Sequence, residues 1–126
     1  GCRMHAGPAQ RWRILVMEGI YNIQELQDLI AEEKGLLLYF SSDSCSVCKV
    51  LKPKVAELLG EQFPLMLSRY VDTEKSPVIA GQFRVFTIPT ILIFFEGKEQ
   101  VRFSRNISMH QLEEAISRPY SLVFED

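Results

Sequence analysis

The chain has 126 residues, 47% of them hydrophobic, and 14 basic against 16 acidic side chains leave a net charge of −2. That size suits one domain with a real core, and the near-neutral balance gives no electrostatic reason to expect nucleic acid or an anionic membrane as partner. No apolar run approaches the roughly 18 residues of a membrane-spanning helix; the longest, TILIFF at 90–95, is strand-sized, so no transmembrane segment and a soluble protein are expected.

The first sixteen residues, GCRMHAGPAQRWRILV, are mixed in pattern, unlike the rest of the chain, and contain a Gly7-Pro8 breaker. Their basic start is not succeeded by an apolar region and a small-residue cleavage site, so they do not read as an intact signal peptide. Residues 1–17 are taken as an N-terminal extension, with Gly1 readable as a cloning remnant and Met17 as a natural start. A different reading makes Cys2 the lipidated first residue of a lipoprotein.

From residue 20 the pattern becomes helical. Asn22 is placed to cap, Glu25 completes a capping box, and Ile23, Leu26, Leu29 and Ile30 recur at spacings of three and four before Gly35. LLLYF at 36–40 is apolar on both faces, as a parallel strand buried between helices should be. SSDSCSVCKVLKP comes next at 41–53, and a helix is predicted to open at its cysteines, with Val47, Val50, Leu51, Val55, Leu58 and Leu59 as the apolar face and Pro53 bending it. PLMLSRYVD at 64–72 reads as a strand, TEKS as a turn, and Pro77 to about Phe83 as a short helix.

TILIFF is a further buried strand, Glu96-Gly97 a turn, and QVRFS its hairpin partner. Ser108 caps a last helix, with Gln111 at the capping-box position and Met109, Leu112 and Ile116 facing inward. Residues 119–126 form a tail expected to pack back on the domain. The order strand, helix, strand, helix, strand, short helix, hairpin, helix is that of an α/β domain with a central mixed sheet.

Cys45 and Cys48 carry the chemistry. Three cysteines do not make a disulfide-stapled scaffold. A tetrahedral zinc site needs four ligands, and the other soft candidates, Cys2, His5 and His110, are in no ligand spacing, so no metal is expected. A reactive dithiol is the leading reading, with an inert pair the alternative.

The strand LLLYF, then CSVCK, Pro53 five residues after the second cysteine, and VFTIPTILIFFEGK further on together resemble the thioredoxin family over residues 18–118. The resemblance implies a thioredoxin fold, a central mixed β-sheet flanked by helices on both faces. It makes Cys45 the exposed nucleophile and Cys48 the buried resolving thiol. Pro89 would be a cis-proline beside them, and Thr87, Ile88 and Pro89 the segment that meets substrate. Pro53 matches the helix-kinking proline and Lys49 the basic residue after the second cysteine. Several positions depart from thioredoxin itself: Ser44 stands for a tryptophan, Ser46-Val47 for Gly-Pro, Tyr39 for the buried carboxylate, Ser68 for its lysine partner, and Ser104 for a glycine.

A cysteine at a helix start meets unpaired backbone N–H groups and the positive end of the helix dipole, and both favour the thiolate; thioredoxins are the reference example of that effect. The implied activity is thiol–disulfide exchange that reduces protein disulfides. Protein disulfide substrates and an upstream reductase such as thioredoxin reductase are the implied partners, and no cofactor is needed. A monomer in the cytoplasm is expected, or a periplasmic lipoprotein if Cys2 is lipidated. The alternative class is a redox-inert or redox-sensing interaction module on the same fold.

Overall fold

The computed structural model describes residues 17–124; Cys2, His5, Trp12 and the expectations for them lie outside that range. Among the described residues five strands form one sheet in the order β1-β3-β2-β4-β5: β1 Glu18–Gly19, β2 Gly35–Ser41, β3 Leu67–Asp72, β4 Thr90–Phe95 and β5 Lys98–Ser104. β1 and β2 run parallel to β3, while β4 is antiparallel to both β2 and β5, so the sheet is mixed. Four helices cover it: α1 Ile23–Glu32, α2 Ser46–Gln62, α3 Pro77–Gln82 and α4 Met109–Phe124.

Strand alternation divides the core in two. Leu37, Tyr39, Ile91 and Ile93 point to one face and meet Cys48, Val55, Ala56 and Leu59 of α2 and Leu112 and Ile116 of α4. Leu36, Leu38, Phe40, Leu92 and Phe94 point to the other and meet Leu26 of α1 and Ile79 and Ala80 of α3. Every residue of β2 and β4 is buried, which is why both read as unbroken apolar runs rather than as alternating ones.

The helix signals resolve locally. The Asn22 side chain accepts the Glu25 N–H at 2.8 Å, starting α1. The helix closes at Glu32, Glu33 turns extended, and Gly35 is not a helix stop but opens β2. A side chain at Gly35 would run into Met66 and the Phe124 ring, so the glycine serves close packing. β3 is shorter than predicted, beginning at Leu67. The Glu96-Gly97 turn has positive φ at both residues, 52° and 84°.

The apolar face of α2 is a correction. Val47 and Val50, predicted to point inward, are each 61% exposed. The sheet-facing row is Cys48, Val55, Ala56 and Leu59, and at 3.6 residues per turn Val50 lies roughly 160° around the axis from Cys48. Residues 119–124 continue α4 through Pro119. Tyr120, Val123 and Phe124 pack on the core, and the Tyr120 ring sits 5.1 Å from that of Phe63.

Asp72, buried at the end of β3, ties that strand to the loop before α3. Its Oδ1 accepts the N–H groups of Glu74 and Lys75 at 2.9 and 3.1 Å, and its Oδ2 accepts the Tyr70 hydroxyl at 3.3 Å. Asp72→Ala strips these donors of their acceptor and is expected to cost about 1–3 kcal/mol, read as a lowered urea midpoint at unchanged slope.

Candidate active site: the dithiol at the start of the second helix

β2 leaves the sheet at Ser41 and the chain turns through Ser42–Ser44 into α2. The Cys45 N–H donates to the Ser42 carbonyl at 3.2 Å. Cys45 is the N-cap: its backbone is extended, its carbonyl accepts the Lys49 N–H, and its sulfur accepts the Cys48 N–H at 3.2 Å. An N-cap side chain that accepts from the first turn is ordinarily an oxygen; here a sulfur takes that place.

Cys45 and Cys48 are joined by a disulfide, with Cα atoms 5.3 Å apart, inside the range that bridging allows. Cys45 is partly exposed and Cys48 is 1% exposed. Only one sulfur is therefore open to attack from outside. The other is shut off from solvent.

The second predicted segment, Thr87 to Pro89, contains a cis peptide between Ile88 and Pro89. Pro89 is buried, and Ile88 packs against both halves of the core, including the cluster that holds Cys45 and Cys48. The Thr87 carbonyl accepts the Thr90 hydroxyl at 2.7 Å, and the Pro89 carbonyl accepts the Arg105 N–H at 2.8 Å. Ser104, on β5, lies 3.5 Å from the Thr90 hydroxyl.

The remaining predicted residues fall into three groups. Ser44 is exposed and holds Glu74 at 3.2 Å. Ser46, Val47 and Lys49 lie exposed on the first turn of α2, and Pro53 is exposed further along it. Tyr39 is wholly buried, as an aromatic in a core strand should be, but it does more than fill space. Its hydroxyl donates to the Cys48 carbonyl at 2.7 Å. A phenol thus stands beneath Cys48 and holds its backbone.

Sequence reasoning missed the surroundings of that phenol. Tyr70 is the register partner of Tyr39 across β2 and β3, and the Lys52 ammonium lies over the Tyr70 ring, 3.8 Å from its centroid. Lys52 comes four residues after Cys48, one helical turn, and that spacing was the available signal. Burial lowers the Lys52 pKa from its ordinary value, with Asp43 opposing the shift. Burial likewise raises the Tyr39 phenol far above its usual range, helped by Tyr70, and raises Tyr70 itself, with Asp72 and Asp43 adding to it against a hydrogen bond from Ser41.

Neither phenol ionises near neutrality, so neither is a base there. Phenols whose folded pKa is raised contribute stability that is complete below the unfolded value, about 10, and is lost as pH rises past it. Denaturation midpoints are therefore expected to fall with each step above about pH 10 and to fall less in Tyr39→Phe.

Among the described residues no cluster of three or more His, Cys, Asp or Glu could hold a metal ion, and no helix is long and apolar enough to cross a membrane.

Comparison with known proteins agrees with this geometry. The family profile described as Thioredoxin matches residues 20–118. The chain is 31% identical over 106 residues to thioredoxin-like protein YdfQ of Bacillus subtilis, covering 84% of this chain and 94% of that protein. It is 39% identical over 87 residues to a thioredoxin of Chlamydia trachomatis, covering 68% of this chain and 82% of that one. Among solved structures, Fasciola hepatica thioredoxin superposes with a TM-score of 0.73 at 28% identity, over 81% of this chain and 98% of that one.

Proposed function

We propose that this chain, which belongs to the thioredoxin family and is a thiol–disulfide oxidoreductase, reduces protein disulfides with Cys45 as nucleophile and Cys48 as resolving thiol. The observation that carries the reading is the pairing of a partly exposed sulfur at the N-cap of α2 with a buried one bonded to it. The reduced form starts the cycle. The Cys45 thiolate, favoured by the N–H groups and dipole of the helix start, attacks one sulfur of the client disulfide. That disulfide breaks, its other sulfur leaves as a thiolate, and a mixed disulfide forms.

Cys48 then loses its proton to solvent and attacks the Cys45 sulfur. The second client sulfur leaves and the internal disulfide closes. Two electrons have passed to the client and the two cysteines are oxidised. An upstream dithiol reductase restores them. The backbone at Thr87–Pro89 would receive an extended client beside Cys45, as an added strand.

The reading is tested by dithiothreitol-driven reduction of insulin, with clear turnover expected over dithiothreitol alone. No turnover, with both thiols reactive and the fold intact, overturns the enzyme reading and leaves a binding module on the same fold.

A further inference from the structure

The flank of α2 that faces away from the sheet carries features the exchange chemistry does not use. Val47 and Val50, each 61% exposed, form with Leu51 and Ile107 the apolar floor of a groove of about 640 Å³. Its lining includes Ser46, the residue after Cys45, and the loop from Arg105 to Ser108. Two cations stand in its lining, Lys54 and Arg105, and no acidic residue does. Among the described residues no carboxylate lies within ion-pair distance of either cation.

This basic edge belongs to a chain whose net charge is −2, so the local sign opposes the overall one. Arg105 is held with φ at 64°, a conformation uncommon for a residue with a side chain. Its N–H is bonded to the Pro89 carbonyl. The loop that carries Arg105 is thereby tied to Pro89, whose neighbour Ile88 packs on the same core cluster as Cys45.

From this we infer that the groove is a docking surface for the client protein, and that it selects a segment in which an apolar side chain is flanked by carboxylates. The apolar side chain covers Val47 and Val50, which otherwise expose hydrocarbon beside the nucleophile. The carboxylates meet Lys54 and Arg105, pairs that steer encounter and fix register more than they add affinity. The inference rests on the oxidoreductase reading, since it names the kind of substrate that the dithiol serves.

The test uses two disulfide-linked peptides that differ only beside a leucine, one carrying aspartates and the other lysines. The full chain is expected to reduce the acidic peptide with kcat/KM about tenfold above the basic one, the size that two screened surface pairs deliver. The ratio should shrink toward one at about 1 M salt. The double variant Lys54→Glu, Arg105→Glu should reverse it. Equal rates in the unaltered protein, or a preference that survives the charge reversal, overturn the inference.

Binding is read separately in Cys45→Ser. There the backbone amide signals of Val47, Val50 and Asn106 should move with the acidic peptide and stay still with the basic one. Failure of those shifts overturns the groove whatever the kinetics show. Shifts as expected, with no reduction of either peptide by the unaltered chain, uphold the groove and sink the exchange reading instead.

Discussion

Cys45→Ser is expected to bring insulin reduction down to the rate of dithiothreitol alone, while Cys48→Ser loses turnover yet accumulates a mixed disulfide on Cys45. The two variants differ because the two sulfurs differ in exposure, one partly open and the other 1% exposed. Removing the open sulfur leaves nothing able to attack a client, because Cys48 cannot reach one. Removing the buried sulfur stops the second attack only, and the captured client stays bound until an external thiol releases it. Incubated with lysate, Cys48→Ser should yield adducts that dithiothreitol dissolves and Cys45→Ser should yield none. A Cys45→Ser protein that still turned over, or a Cys48→Ser protein with a reactive thiol and no adducts, would reverse the assigned roles or remove them. Cys48→Ser also places a hydroxyl in the core, so its thermal midpoint is to be measured beside the adduct yield.

Much of this site was legible in the chain because its parts carry strong local signals. β2 and β4 are buried on both faces, so their composition alone marks them. The helix start at Cys45 comes after a strand and precedes a run of helix formers, and an Ile-Pro-Thr ahead of a second buried strand places the other segment. The orientation of α2 was not legible in the same way. Val47 and Val50 recur at helical spacing with Leu51 and Leu58, which do pack on the core, and only the docking of the helix on the sheet decides that the stripe turning inward runs through Cys48, Val55, Ala56 and Leu59 and leaves the two valines outside. The hydroxyl of Tyr39 was hidden for a similar reason. A buried aromatic in a strand ordinarily packs, and its partner, a backbone carbonyl nine residues on, has no sequence mark. Lys52 and Tyr70 meet across two elements, a contact that needs the β2–β3 register to be seen.

Tyr39→Asp, which restores the carboxylate of the wider family, is expected to destabilise this protein severely rather than improve it. The phenol is fully buried among Leu37, Ile91, Ile93 and the α2 face. Trimming a buried aromatic costs on the order of 3–5 kcal/mol through the cavity alone, and a carboxylate left there adds a desolvation penalty. Against a total stability of roughly 5–15 kcal/mol, that is a fall in melting temperature of about 10–20 °C. Tyr39→Phe separates packing from the hydroxyl. It keeps the ring, loses the bond to the Cys48 carbonyl, and should cost only about 1 kcal/mol. Because burial holds the Tyr39 phenol un-ionised far past neutrality, it takes no proton from Cys48. The pH profile for decay of the mixed disulfide should therefore keep its shape in Tyr39→Phe, with only its height altered. A profile that changed shape, measured in single turnover between about pH 6 and pH 9, around the ordinary thiol range, would make residue 39 the proton acceptor after all. Near-native stability in Tyr39→Asp would show that the core is not built around the phenol.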